Sequence, residues 1–373
     1  MRLHTLLATA AIAAIAFTGC KKNEDGQAKP EATDPTQKPV EAPEATPKAM
    51  TGEELSKHLL GITDAINSRD MARVGAFYAD NATVQWMDFV AAPGREAPMA
   101  GKISATDWLK GSEEYYKAFP DSKGETSMVL VSGQEAVLVG LSTGTNTGDF
   151  MGMPKTDKKV GLRAVHHLQT GPDGKIVEDT VYMDQASFSG QLGMMPEGMY
   201  RPAVELTGEP AVVAVAGDTD AERKNVETVK AFTEAFNSHD VAKVVAFYGD
   251  TGVYSDQSMA GDLTGAEAIT QGLTGYYGMT SDAKAESQWM WGAGDFVAAG
   301  FVATGTHDGD MAGGAVKATG KTFRLHQLGI FQLKDGKIAH HWVFANSLSA
   351  MQQLDLLPPM APPAADSDEK AAK

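Results

Sequence analysis

The chain has 373 residues, 43% of them hydrophobic, and carries a formal net charge of −16 spread over its whole length. It has no basic stripe of the kind that phosphate contacts require, which argues against nucleic acid as a partner and leaves solubility as the reading of the charge. Its single cysteine excludes a disulfide within the chain.

In chain order the first element is an export signal. Met1-Arg2 supplies a positive end, and the apolar run from Leu6 to Phe17 is too short to span a bilayer. It closes on Phe17-Thr18-Gly19-Cys20, which resembles the bacterial lipobox. That resemblance implies cleavage after residue 19 and lipid on Cys20, and so a membrane partner through that lipid. Lys21 and Lys22 follow instead of an aspartate, which places the expected anchor in the outer membrane of the cell envelope, facing the periplasm. The alternative is an ordinary secretory signal with an incidental cysteine. Residues 20–50, rich in proline and charge, read as a disordered tether.

The rest says the same thing twice. AINSRDMARVGAFYAD from Ala65 returns as AFNSHDVAKVVAFYGD from Ala235, TGTNTGDF from Thr143 as TGTHDGDM from Thr304, and PDGKIVEDTVYMD from Pro172 as KDGKIAHHWVFAN from Lys334. Matches in the same order at near-constant offset mark a duplicated folding unit. The expected division is a first domain over 51–198, a linker over 199–220, a second domain over 221–358 and a disordered tail over 359–373.

In the first copy Leu55, Leu59, Ile62 and Ile66 space an amphipathic helix. Asp70 caps a second short helix carrying Val74, Phe77 and Tyr78. A strand over 83–86, a loop and a third helix over 104–119 follow. Strands are predicted over 126–132, 136–145, 159–169 and 175–186, with a turn at Pro172-Asp173-Gly174. The second copy repeats this with Val226, Val229, Phe232 and Phe236 on its first helix and a cap at Asp240. Its third helix reads as short and broken by Gly272, Gly275 and Gly278. Helices followed by antiparallel strands predict an α+β unit.

The ordered set N-S-x-D, F-Y-x-D, Phe119-Pro120-Asp121, T-G-T-x-x-G-D, D-G-K-I and Gln191-Leu192-Gly193 resembles the SnoaL-like polyketide cyclases among the NTF2-like folds. The resemblance implies two tandem cone-shaped α+β barrels, each with helices packed on a curved antiparallel sheet around an apolar pocket. Pairing through the sheets, within the chain as a pseudo-dimer or between chains as a homo-oligomer, is implied as well. In those cyclases the aspartate matching Asp184 removes a proton alpha to a carbonyl, with no metal or cofactor. The two-residue period sets Asp184 on one face with Glu178, Thr180 and Tyr182, and a carboxylate in an apolar cavity makes a stronger base. The competing reading is that Asp184 caps a following helix. Asn346 stands in its place in the second copy and cannot accept a proton at useful pH.

The pocket residues expected to touch a small apolar molecule are Trp86, Tyr115, Arg163 and Tyr182 in the first copy, with His326, His340, Trp342 and Asn346 in the second. His326 aligns with Arg163 if the first hairpin turn is one residue longer. Neighbouring histidines on a strand point to opposite faces, so neither pair chelates as a unit, and no metal, phosphate-loop or dinucleotide pattern is present. The expected function is an envelope lipoprotein binding a small apolar or amphipathic molecule, with or without cofactor-free turnover. The alternative is a non-catalytic binding or interaction scaffold.

Overall fold

The computed structural model describes residues 48–91 and 101–357. The signal, Cys20, nearly all of the tether and the tail lie outside the described residues, as does the loop at 92–100. Among the described residues no helix is long and apolar enough to cross a membrane.

Thr51 starts α1 (Gly52–Ser68): its hydroxyl accepts from the Glu54 amide, and the Glu54 carboxylate accepts from the Thr51 amide at 2.8 Å. The buried stripe of Leu55, Leu59 and Ile62 packs with Val129 and Val131. Asp70 caps α2 (Met71–Gly75) through the Arg73 amide. The chain then enters β1 (Tyr78–Trp86) at once. Phe77 and Tyr78, expected on the helix, lie beyond it, because ladder pairing of Tyr78 with Ile176 wins over local propensity. Next come β2 (Gly101–Ser104), α3 (Ala105–Ala118), β3 (Lys123–Ser132), β4 (Glu135–Thr145), β5 (Lys159–Thr170), β6 (Ile176–Tyr182) and α4 (Gln185–Gln191). The connector is not bare: its Val-Val-Ala-Val run forms β7 (Val212–Val215), parallel to β3.

The second copy repeats the order with α5 (Asp220–Asn237), α6 (Val241–Val245), β8 (Tyr248–Asp256), β9 (Leu263–Thr264), α7 (Gly265–Met279), β10 (Lys284–Ala293), β11 (Phe296–Thr306), β12 (Thr322–Lys334), β13 (Lys337–Phe344) and α8 (Ser347–Gln353). Thr219 and Glu222 cap α5 as Thr51 and Glu54 cap α1. Against expectation α7 is an unbroken helix of 15 residues. Gly272 is there for space: a Cβ at that position would meet the Leu263 side chain at 2.4 Å. The helix gains close packing on β9 that offsets the roughly 1 kcal/mol a glycine costs.

The sheets are ordered β2-β1-β6-β5-β4-β3-β7 and β10-β11-β12-β13-β8-β9. Both are mixed rather than antiparallel, since β1 runs parallel to β6 and β8 to β13. Hairpins enforce antiparallel pairing, and neither of these pairs is joined by one. The register sets Arg163 opposite Leu141 and His326 opposite Val302, so the two residues occupy matching places.

One face of each sheet meets its own helices. The other meets the opposite sheet: Leu130, Val137, Val139 and Val165 share a buried cluster with Ala298, Leu328, Ile330 and Phe344. Side chains of this kind contribute roughly 1.5–3 kcal/mol each when fully buried. His167 stacks on Trp289 at 4.0 Å, and Glu135 accepts from the Trp291 indole at 3.1 Å.

Candidate functional site

A cavity of about 460 Å³ occupies the second copy, in the size range of small-molecule pockets. The reason it opens there lies in side-chain size at matching positions. Tyr115 stacks on Phe119 at 4.6 Å, and Phe119 meets Phe150 at 5.5 Å and Phe188 at 6.0 Å, filling that end of the first copy. The caps, bridges and strand registers align Phe119, Phe150 and Phe188 with Thr280, Met311 and Ala350. Trp108 likewise aligns with Ile269. Met311 and Ala350 line the cavity, together with Phe232, Tyr254, Tyr276 and Phe323.

One charged side chain is found among the described lining residues. Asp256 ends β8, on the same strand face as Tyr254 and at the place of Trp86 in the first copy. Its Oδ1 accepts from the Ser258 amide at 2.9 Å and hydroxyl at 2.7 Å, whereas Oδ2 has only the Tyr254 hydroxyl at 3.3 Å. Burial pushes this carboxyl above the usual carboxylate range, against the lowering pull of the Ser258 bonds. Behind it, Arg201 donates to the Asp256 carbonyl at 2.7 Å and pairs with Asp262 at 2.8 Å. Tyr276 is raised to about 12, chiefly by burial.

The floor holds His341, stacked on Phe331 at 3.9 Å and hydrogen-bonded through Nδ1 to the Tyr248 hydroxyl at 3.0 Å. Burial, with His340 adding to it, lowers the His341 imidazole to about 3, so it is neutral. The first copy has Asp179 at that place. Asp179 is fully buried, accepts from Tyr78 at 2.9 Å and contacts His166 Nδ1 at 2.9 Å. Burial alone would lower His166, but the Asp179 carboxylate beside it raises it. Gly329 replaces His166 in the second copy and leaves room.

None of the sequence-predicted site residues lines the cavity. Asp184 is buried between the copies as the cap of two helices: Oδ2 accepts from the Ser187 amide and hydroxyl, and Oδ1 from the Ser347 amide and hydroxyl, all at 2.6–2.8 Å. Asn346 accepts from the Gln185 amide at 3.2 Å and donates to the Asp88 carbonyl at 2.9 Å. His326 is held by Asp88 through its amide and, at 2.9 Å, its Nδ1. His340 stacks on Trp342 at 3.7 Å. Tyr182 and Trp342 belong to the cluster between the sheets, Trp86 to the first core, and Tyr115 to the aromatic plug. Arg163 is half-buried, and desolvation followed by the charge of Arg201 lowers its guanidinium.

The cause is strand parity. On β13, His341 and Val343 face the hollow, while His340, Trp342 and Phe344 alternate with them on the other face. Both faces are buried, so hydrophobicity does not say which is inside. Asp256, Tyr254, Asp179 and Tyr78 were missed; the available signal was an aspartate two residues beyond a tyrosine where the first copy carries Trp86. Among the described residues no group of three or more His, Cys, Asp or Glu side chains gathers as metal ligands.

The duplicated α+β fold, with helices over a mixed sheet in each copy, is that of SnoaL-like and NTF2-like domains. The family model for SnoaL-like polyketide cyclases matches residues 57–192 and again 226–354, and the chain belongs to that family. Among solved structures it is similar to AclR of Streptomyces galilaeus, at 23% identity over 39% of this chain and 100% of that one, TM-score 0.34. A SnoaL-like protein from Jannaschia shares 20% identity over 39% and 99%, TM-score 0.35. IdmH of Streptomyces antibioticus shares 24% over 35% and 98%, TM-score 0.31. No curated protein matches the chain.

Proposed function

We propose that the protein is an envelope lipoprotein, anchored through lipid on Cys20, whose second copy binds a small apolar or amphipathic molecule. The observation that carries the binding reading is the aromatic cavity of about 460 Å³ with Asp256 as its one charged group among the described lining residues. Apolar walls supply affinity by burial, and a single polar group orients the guest. The group assigned to the ligand is Asp256 in place of Asp184, because four donors already occupy the Asp184 oxygens.

Nile red, a neutral apolar dye, tests this on the full chain. Wild type is expected to bind it with enhanced fluorescence. The double variant Ala350→Phe, Met311→Phe, which imports the first copy's rings, is expected to weaken binding at least about tenfold while circular dichroism is unchanged. Equal binding by both proteins refutes the cavity reading. For the anchor, Cys20→Ser is expected to move the protein from the membrane to the soluble fraction.

A second reading, cofactor-free proton transfer on a bound carbonyl compound, is favoured by the raised Asp256 carboxyl. In it the ionised Oδ2 takes a proton from carbon and later returns it. Asp256→Asn is then expected to abolish turnover and retain dye binding.

A further inference from the structure

We infer that the preferred guest of the second-copy cavity is a hydrophobic cation, an amine or quaternary ammonium carried on an apolar body. This rests on the binding reading above and names its ligand class. The argument begins with charge. Among the described residues lining the hollow, Asp256 is an acid and none is Lys or Arg. An anionic guest would therefore face a carboxylate with no positive charge to receive it. A neutral guest would gain at most a hydrogen bond at Oδ2, the oxygen with the single long contact at 3.3 Å.

A cation gains more. Its charge supplies the partner that a buried carboxylate otherwise lacks, and pairing favours the ionised form that burial opposes. Rings attract it as well: Tyr254, Tyr276, Phe232 and Phe323 line the same space, and an ammonium over a ring face is drawn by the ring quadrupole. Nothing nearby opposes it. His341 is neutral, since burial holds its imidazole at about 3. Arg201 is not among the residues lining the cavity, and it pairs with Asp262 and donates to the Asp256 carbonyl. The chain's net charge of −16 also favours the approach of cations.

Three probes of one shape and three charges decide the matter: benzyltrimethylammonium, its neutral carbon isostere neopentylbenzene, and phenylmethanesulfonate. Each is titrated against Nile red bound to the full chain. Benzyltrimethylammonium is expected to displace the dye at a concentration at least about tenfold below that of neopentylbenzene, with the sulfonate weakest. In Asp256→Asn the advantage of the cation over neopentylbenzene is expected to fall below about twofold. Displacement by the neutral probe as well as by the cation, or preference for the sulfonate, overturns the charge inference and leaves the cavity reading intact. Failure of wild type to bind Nile red more tightly than the Ala350→Phe, Met311→Phe variant defeats the cavity reading itself. The wild-type ranking stands without the variant, so a fold defect in Asp256→Asn does not blunt the test.

Discussion

The two copies share most of their element order and strand pairing, yet aromatic rings pack one end of the first while the same end of the second opens on a cavity. In the first, Phe150 packs edge to face on Phe119 and Phe188 beside Tyr115, and His166 pairs with Asp179 at the floor. In the second, Thr280, Met311, Ala350, Gly329 and His341 stand at those places. A few exchanges of large for small side chains have separated a core from a pocket with no change of backbone plan.

The contrast between the copies is tested hardest at the aromatic plug. Phe119→Ala removes a fully buried ring and is expected to cost about 3–5 kcal/mol in urea unfolding. The matching Thr280→Ala is expected to cost under about 1 kcal/mol, and equal losses would deny that the copies pack differently. Asp179→Leu should come next, at about 3 kcal/mol, since it leaves His166 and Tyr78 without their common partner. Asp184→Ala strips the first-turn donors of both α4 and α8 and is expected to cost about 2–3 kcal/mol. Asn346→Ala should cost about half as much, and a reversed order would sink the double-cap account.

The smallest effect, about 1 kcal/mol between pH 7.5 and 5.5, is one of pH. His341 is lowered in the folded state, so the second copy loses stability as pH falls below about 6.5 and goes on losing it to about 3. Glu222 adds to this at lower pH: burial would raise it, but the amides of Thr219, Gly217 and Gly294 hold it at about 2, and its contribution fades as pH falls below about 4.5. His166 has the opposite sign. It is raised in the folded state, so its contribution is present below about 6.5 and fades as pH rises through the raised value. Hydrogen exchange at pH 7.5 and 5.5 should show β13, which carries His341, losing protection on acidification and β5, which carries His166, gaining it. Parallel change in both strands would contradict the assignment.

Much of the fold was legible. Asp70 and Asp240 cap where their side chains dictate, and the repeated motifs gave the order of elements. The continuity of α7 was hidden because the value of Gly272 lies in its distance from Leu263, which no local pattern records. The parallel β1–β6 pairing was hidden for the same reason. Site residues were legible only to the extent of the strands that carry them. On β6 and β13 the alternation was legible but not the side of the hollow, because the face toward the other copy is as apolar as the face toward the cavity. Asp184 stands at a helix start, as the capping alternative required, and the only signal at Asp256 was its exchange for the Trp86 of the first copy, because a lone aspartate at a strand end is usually solvated.

The strand β7 has a consequence for how the copies stay together. With Val215 on the first sheet and Asp220 beginning α5, only residues 216–219 join the halves, a reach of roughly 14 Å, and they are pinned as well: the Ala216 amide donates to the Val131 carbonyl, and the Gly217 and Thr219 amides donate to the Glu222 carboxylate. So short a leash holds each half at a high local concentration of the other. Closure of the sheet-to-sheet contact should therefore be unimolecular and indifferent to dilution.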